Sequence, residues 1–108
     1  MIVAGNMFVG LPSRQEEERF TELLSSAHIR IERIVSNGQA TAPGQWYDQD
    51  WAEWVLLLQG SASLRFEDEA EPRVLAPGDY VQTPPHARHR VEATDHAQPT
   101  VWLAVHYR

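Results

Sequence analysis

Glu53 and His89 are the leading candidates in this chain to move a proton or hold a metal ion. Glu53 opens the apolar run Trp54–Leu58, where an isolated carboxylate must either reach solvent or find a partner inside. In a regular strand His89 shares a face with Val91, while Arg88 and Arg90 point the other way. A neutral imidazole there is both a ligand for first-row divalent metals and a workable general base. Upstream, Tyr47 and Gln49 are two residues apart and share one face of an extended segment; Trp46 and Asp48 are the alternative pair, one step out of phase. His86 stands three before His89, an odd separation that brings both to one site only if Pro84-Pro85-His86 bends. The alternative for His86 is a turn or mouth position.

Around these groups lie candidates for a binding wall. Trp46 and Trp51 flank the Tyr47–Gln49 segment and are expected at the mouth of a pocket, whereas Trp54 and Trp102 are expected in the core. Arg88, with Arg90 and Arg73, offers a cationic patch for a carboxylate or phosphate; the competing reading pairs these arginines with surface acids. His106 lies opposite in phase to Leu103 and Val105, so its side is open, and His28 and His96 read as exposed.

The elements that must position these residues read as strands. His28–Val35 alternates, with Ile29 and Ile31 on one face and Arg30 and Glu32 on the other. Further strand runs follow at Glu53–Gln59, Ala62–Phe66, Arg73–Leu75, Tyr80–Thr83, His89–Ala93 and Thr100–His106. Turn signals separate them at Asn37-Gly38, Pro43-Gly44 and Pro77-Gly78, and the acidic stretch Glu67–Glu71 reads as a solvated hairpin tip. Before them, Ser13–Leu24 has the spacing of a short amphipathic helix, with Ser13 as cap, Glu16 in the capping-box position and Phe20, Leu23 and Leu24 on one face. The expected organisation is an N-terminal arm and helix over 1–27 and an all-β barrel over 28–108, one domain overall.

Composition narrows the partners. A net charge of -6 over 108 residues disfavours nucleic acid and anionic membrane surfaces. With no cysteine there is neither disulfide nor thiolate chemistry. The N-terminal stretch MIVAGNMFVGLP lacks a basic region and is interrupted by glycine, so it does not read as a signal or a membrane span. The expectation is a soluble, cytoplasmic protein with a small-molecule ligand.

Two motifs carry a resemblance to the cupin family. Its first reads G-x5-H-x-H-x(3 or 4)-E-x6-G, and Glu53 and Gly60 match the second half; Tyr47 and Gln49 stand at the histidine positions with the shorter spacing, Trp46 and Asp48 with the longer. Its second reads G-x5-P-x-G-x2-H-x3-N, matched by Gly78, Pro84 and His89, with His86 at the second glycine and Ala93 at the asparagine. The resemblance implies a double-stranded antiparallel β-barrel of jelly-roll type. It also implies one divalent ion, Fe, Mn, Ni or Zn, held by Glu53, His89, Gln49, His86 and Tyr47, with Glu53 and His89 catalytic in a metal-assisted oxygenation or isomerisation. The alternative is a non-catalytic module that binds a metabolite or sugar without metal. Homodimers are expected, because small cupins commonly pair and edge strands need cover.

Overall fold

The structure, a computed structural model, describes residues 1–12, 15 and 17–108. Eight strands follow one another: β1 (Arg19–Ser25), β2 (Ile29–Ser36), β3 (Ala52–Gln59), β4 (Ala62–Phe66), β5 (Arg73–Leu75), β6 (Tyr80–Thr83), β7 (His89–Thr94) and β8 (Thr100–Tyr107). They form two antiparallel sheets, a five-stranded one in the order β1-β2-β8-β3-β6 and a three-stranded one in the order β5-β4-β7. The chain is therefore all-β, with the jelly-roll barrel architecture the motifs imply.

Period-two patterning explains which side chains meet between the sheets. On β4, Ala62, Leu64 and Phe66 are buried while Ser63 and Arg65 alternate with them. On β3 the apolar run splits: Val55 and Leu57 are buried, while Trp54 and Leu56 are only partly covered. Together with Leu75, Val91, Trp102 and Ala104 these inward residues make one core. Removing such area from water is the main favourable term in holding two sheets face to face. Gly60 makes the tight β3–β4 connection possible, because its φ of 88° suits glycine and a Cβ there would meet the Thr100 Cα at 2.8 Å.

β2 reverses the usual arrangement. Arg30 and Glu32 face the barrel interior, so Ile29 and Ile31, one step out of phase, face away from it. The reversal is confined to the first half of β2, since farther along Ile34, in the same phase as Glu32, packs against the core.

Among the described residues of Ser13–Leu24 no helix is present. Arg19–Ser25 is strand β1, paired antiparallel with β2 from Arg19↔Val35 to Ser25↔Arg30. The barrel's sheet thus begins within the stretch 1–27 assigned to an arm and helix. Ser13 and Glu16, the expected cap and capping-box partner, lie outside the described residues. A register shift between Glu22 and Leu24 explains the misleading spacing. An extra residue in a strand imitates an i, i+3, i+4 pattern, yet Phe20 faces the interior while Leu23 lies on the opposite side against residues 3–7. Pairing with β2 overrides a modest helical propensity. Among the described residues, no helix is long and apolar enough to cross a membrane.

Candidate functional site

The sheets enclose a cavity of about 310 Å³. Phe20, Val55, Leu64, Val91 and Trp102 supply its apolar walls. Its polar groups are Arg30, Glu32, Tyr47, Gln49, Glu53, Thr83, His89 and His106. Glu53 comes from the start of β3, where it is the direct neighbour of His106 on β8 and of Thr83 on β6. His89 opens β7 on the other sheet, so closing the barrel is what brings the carboxylate and the imidazole together.

Four ionisable groups form a chain across the interior. The Glu53 Oε1 lies 3.6 Å from His89 Nε2, and Glu53 Oε2 lies 3.4 Å from His106 Nε2. His106 Nε2 in turn lies 2.9 Å from Glu32 Oε1. Glu53, His89 and His106 are all buried. Since His106 Nε2 faces two carboxylates, that nitrogen carries the proton and donates to Glu32; its Nδ1 is buried without a partner.

His89 is polarised from both ends. Its Nδ1 donates to the Ala87 carbonyl at 2.9 Å, which leaves Nε2 to face Glu53. Burial disfavours its charged form, but the Glu53 carboxylate and the Ala87 carbonyl together outweigh burial and hold its pKa above the usual 6.5. The ring is packed between Tyr47 and Phe66, with centroid distances of 5.6 Å to each. Tyr47 is fixed by a backbone bridge, Tyr47 N–H to the His89 carbonyl at 2.7 Å and His89 N–H back to the Tyr47 carbonyl at 3.2 Å. Burial, then the charges of Glu18 and Glu53, push the Tyr47 phenol above its usual value despite a hydrogen bond with Thr41, so it stays protonated near neutral pH.

The ambiguity between the two upstream pairs resolves in favour of Tyr47 and Gln49, which line the cavity. Trp46 and Asp48 point elsewhere: the Trp46 ring lies beside the guanidinium groups of Arg88 and Arg90, and Asp48 accepts from His86 Nδ1 at 2.8 Å. His86 takes the glycine position of the second motif with a φ of 64°, and its side chain is exposed rather than aimed inward. Its amide donates to the Gln49 carbonyl at 2.7 Å, so it anchors the Tyr47–Gln49 segment from outside. Trp51 is covered by Arg108 and Arg30 at 4.3 and 5.9 Å, and Arg88 pairs with Glu67 at 2.6 Å; Trp46, Trp51 and Arg88 do not line the cavity. Arginines lying over these half-buried indoles account for tryptophans that would otherwise read as a mouth.

Glu32 and His106 escaped the sequence reading. His106 shares its phase with Trp102 and Ala104, and that was the available signal once Trp102 is taken as core. For Glu32 the alternation pointed away from the interior.

The donors present do not fit a resident divalent ion. Of the five expected ligands, Tyr47, Gln49, Glu53 and His89 reach the cavity and His86 does not. A protonated phenol and a glutamine carbonyl are weak donors for borderline metals. The strong donors face one another in succession, and among the described residues no group of three or more His, Cys, Asp or Glu is arranged to hold a metal ion.

The chain belongs to the cupin domain family, whose pattern it matches over residues 33–106. Its structure is similar to that of a putative mannose-6-phosphate isomerase from Ralstonia eutropha JMP134, with 48% identity, 98% of each chain covered and a TM-score of 0.97. It is also similar in fold to a cupin superfamily protein from Desulfitobacterium hafniense DCB-2, at 19% identity, covering 90% of this chain and 83% of that one, TM-score 0.72. The polyketide cyclase RemF from Streptomyces resistomycificus shares the fold at 17% identity, covering 99% and 80%, TM-score 0.77. No curated protein matches the chain.

Proposed function

We propose that the barrel binds a small carbonyl compound and isomerises it by proton transfer, with Glu53 as base, His89 as acid and no resident metal. The observation that carries this reading is the facing pair itself, Glu53 Oε1 and His89 Nε2 at 3.6 Å in a cavity with both apolar and polar walls. A raised His89 pKa supports an imidazolium beside a carboxylate, the protonation states such a reaction needs. The Glu53 carboxylate takes a proton from the carbon next to the carbonyl, while His89 gives its Nε2 proton to the carbonyl oxygen; the product is an enol, a protonated Glu53 and a neutral His89. When the adjacent carbon carries a hydroxyl, the intermediate is an enediol: Glu53 returns its proton to the former carbonyl carbon, the adjacent hydroxyl gives its proton to His89 as the new carbonyl forms, and the isomerisation ends with no net change in the protein. The second Glu53 oxygen lies 3.4 Å from His106 Nε2, on the side away from His89.

The description of the 48% identical relative supports proton-transfer chemistry, since sugar isomerisation moves a proton between adjacent carbons. The cavity wall suits a less polar molecule than a sugar phosphate, because among the described residues Arg30 is its one arginine and no lysine joins it. The absence of cysteine suits a reducing compartment, and we place the protein in the cytoplasm.

A panel of small aldehydes, ketones and 1,3-dicarbonyl compounds incubated with the protein in D2O tests the reading by NMR. Deuterium should enter next to the carbonyl of at least one compound, survive treatment with a chelator, and slow by roughly 10²–10⁴-fold in Glu53→Gln. Saturable binding without exchange would favour the metabolite-binding alternative. Exchange that vanishes on chelation and returns with an added ion would restore the metal.

A further inference from the structure

Strand register sorts the cavity wall into a polar row and an apolar remainder. Arg30 on β2 pairs with His106 on β8, His106 with Glu53 on β3, and Glu53 with Thr83 on β6. All four line the cavity, so one inward row across the five-stranded sheet presents a guanidinium, an imidazole, a carboxylate and a hydroxyl. Exposure falls along it. Arg30 is exposed, whereas His106, Glu53 and Thr83 are buried, which sets the arginine at the rim and the reactive groups deeper. The apolar lining residues Val55, Leu64, Val91 and Trp102 are buried as well.

The charge of Arg30 is not used by the fold. Glu32 bonds His106, Glu53 faces the two histidines, and among the described residues no carboxylate forms an ion pair with the Arg30 guanidinium. The Trp51 ring lies 5.9 Å from it, an indole face that holds the group at the rim while leaving its N–H donors free for a ligand. Those donors form a planar fork that fits the two oxygens of a carboxylate. Adjacent strands lie about 4.8 Å apart, so the backbones of Arg30 and Glu53, two strands removed, are roughly 10 Å apart. A short molecule spans the space between their side chains.

We infer that the substrate is a short oxo acid, with its carboxylate on Arg30, its carbonyl oxygen at His89 and its hydrocarbon end against Val55, Leu64, Val91 and Trp102. The inference rests on the proton-transfer reading of Glu53 and His89 and names the class of molecule that reading requires. Charge limits the ligand to one carboxylate. A single guanidinium can balance it, while Glu32 and Glu53 line the same space and would repel a second anionic group. Volume limits its length: about 310 Å³ lies at the small end of ligand pockets, which run from about 300 to 1,000 Å³. Specificity follows from the arginine, because a site built to pair a charge rejects an analogue that lacks it far better than an apolar wall rejects a methylene.

Matched pairs of ligands test the inference: 2-oxobutanoate, 2-oxopentanoate and 4-methyl-2-oxopentanoate, each against its methyl ester, by calorimetric titration and by deuterium exchange beside the carbonyl. With wild type at least one acid should bind about 10–100 times more tightly than its ester, the range for one charged hydrogen-bonded contact. Arg30→Gln should abolish that preference, and Arg88→Gln, outside the cavity, should keep it. Equal binding of acid and ester, no binding of any acid, or a preference that survives Arg30→Gln would overturn the inference. A second readout needs no variant: the Arg30 guanidinium N–H resonances should shift on titration with the acid and not with the ester, and no shift would reject the contact. Glu53→Gln separates the two readings, since it should stop exchange and leave the acid's binding advantage in place. Exchange without any preference for the acid would remove the anchor and keep the base; acid-selective binding without exchange in wild type would keep the anchor and remove the base.

Discussion

Glu53 and His106 stand directly opposite each other on β3 and β8, and the carboxylate reaches from His106 on its own sheet to His89 on the other. One cavity-lining residue therefore faces a histidine on each sheet. That position explains how a charged side chain is tolerated in a buried site: each of its oxygens faces an imidazole nitrogen.

The first prediction concerns metals. Protein freed of ions by chelation and then given Mn2+, Fe2+, Ni2+ or Zn2+ should melt within about 1 °C of the untreated sample, because an ion that binds the native state well raises its melting temperature by mass action. A rise of several degrees with one ion, abolished by Glu53→Gln, would show that the interior opens around a metal after all.

The second concerns pH. The His89 pKa lies above its unfolded value, so the stability this residue contributes is present in full below about 6.5 and is lost as pH rises through the folded value. Urea unfolding of wild type and His89→Gln should therefore show a gap in favour of wild type near pH 5.5 that shrinks toward about pH 8.5. A gap that widens with pH would mean that His89 is held neutral in the fold.

The third concerns the β3–β4 turn. Gly60→Ala places a Cβ against the Thr100 backbone and forces a side chain into left-handed space. The strain alone costs about 1–3 kcal/mol, which for a domain of this size lowers Tm by roughly 5–15 °C. Calorimetry measures it, and an unchanged Tm would show that the turn relaxes.

Much of the fold was legible because its signals were local. Alternation gave β4 and β7, glycine and proline pairs marked the turns, and Glu53 and His89 were found because the spacing of two motifs singled each of them out. Failures have a common cause, since a neighbour distant in sequence decided each one. Pairing with β2 and a bulge turned the Phe20–Leu24 spacing into a strand. A polar interior drew Glu32 inward, and arginines folded over Trp46 and Trp51 took them out of the pocket. His86 shows the opposite case: a histidine at a glycine position, tolerant of positive φ, kept the turn but gave up any inward role.

The coupling of Glu53 to His89 is most directly tested by following the His89 ring by NMR through a pH titration in wild type and in Glu53→Gln. Its pKa should lie above 6.5 in the wild type and fall in the variant, where burial acts against a weakened opposing influence. An identical titration in both proteins would mean that the two side chains do not share one site.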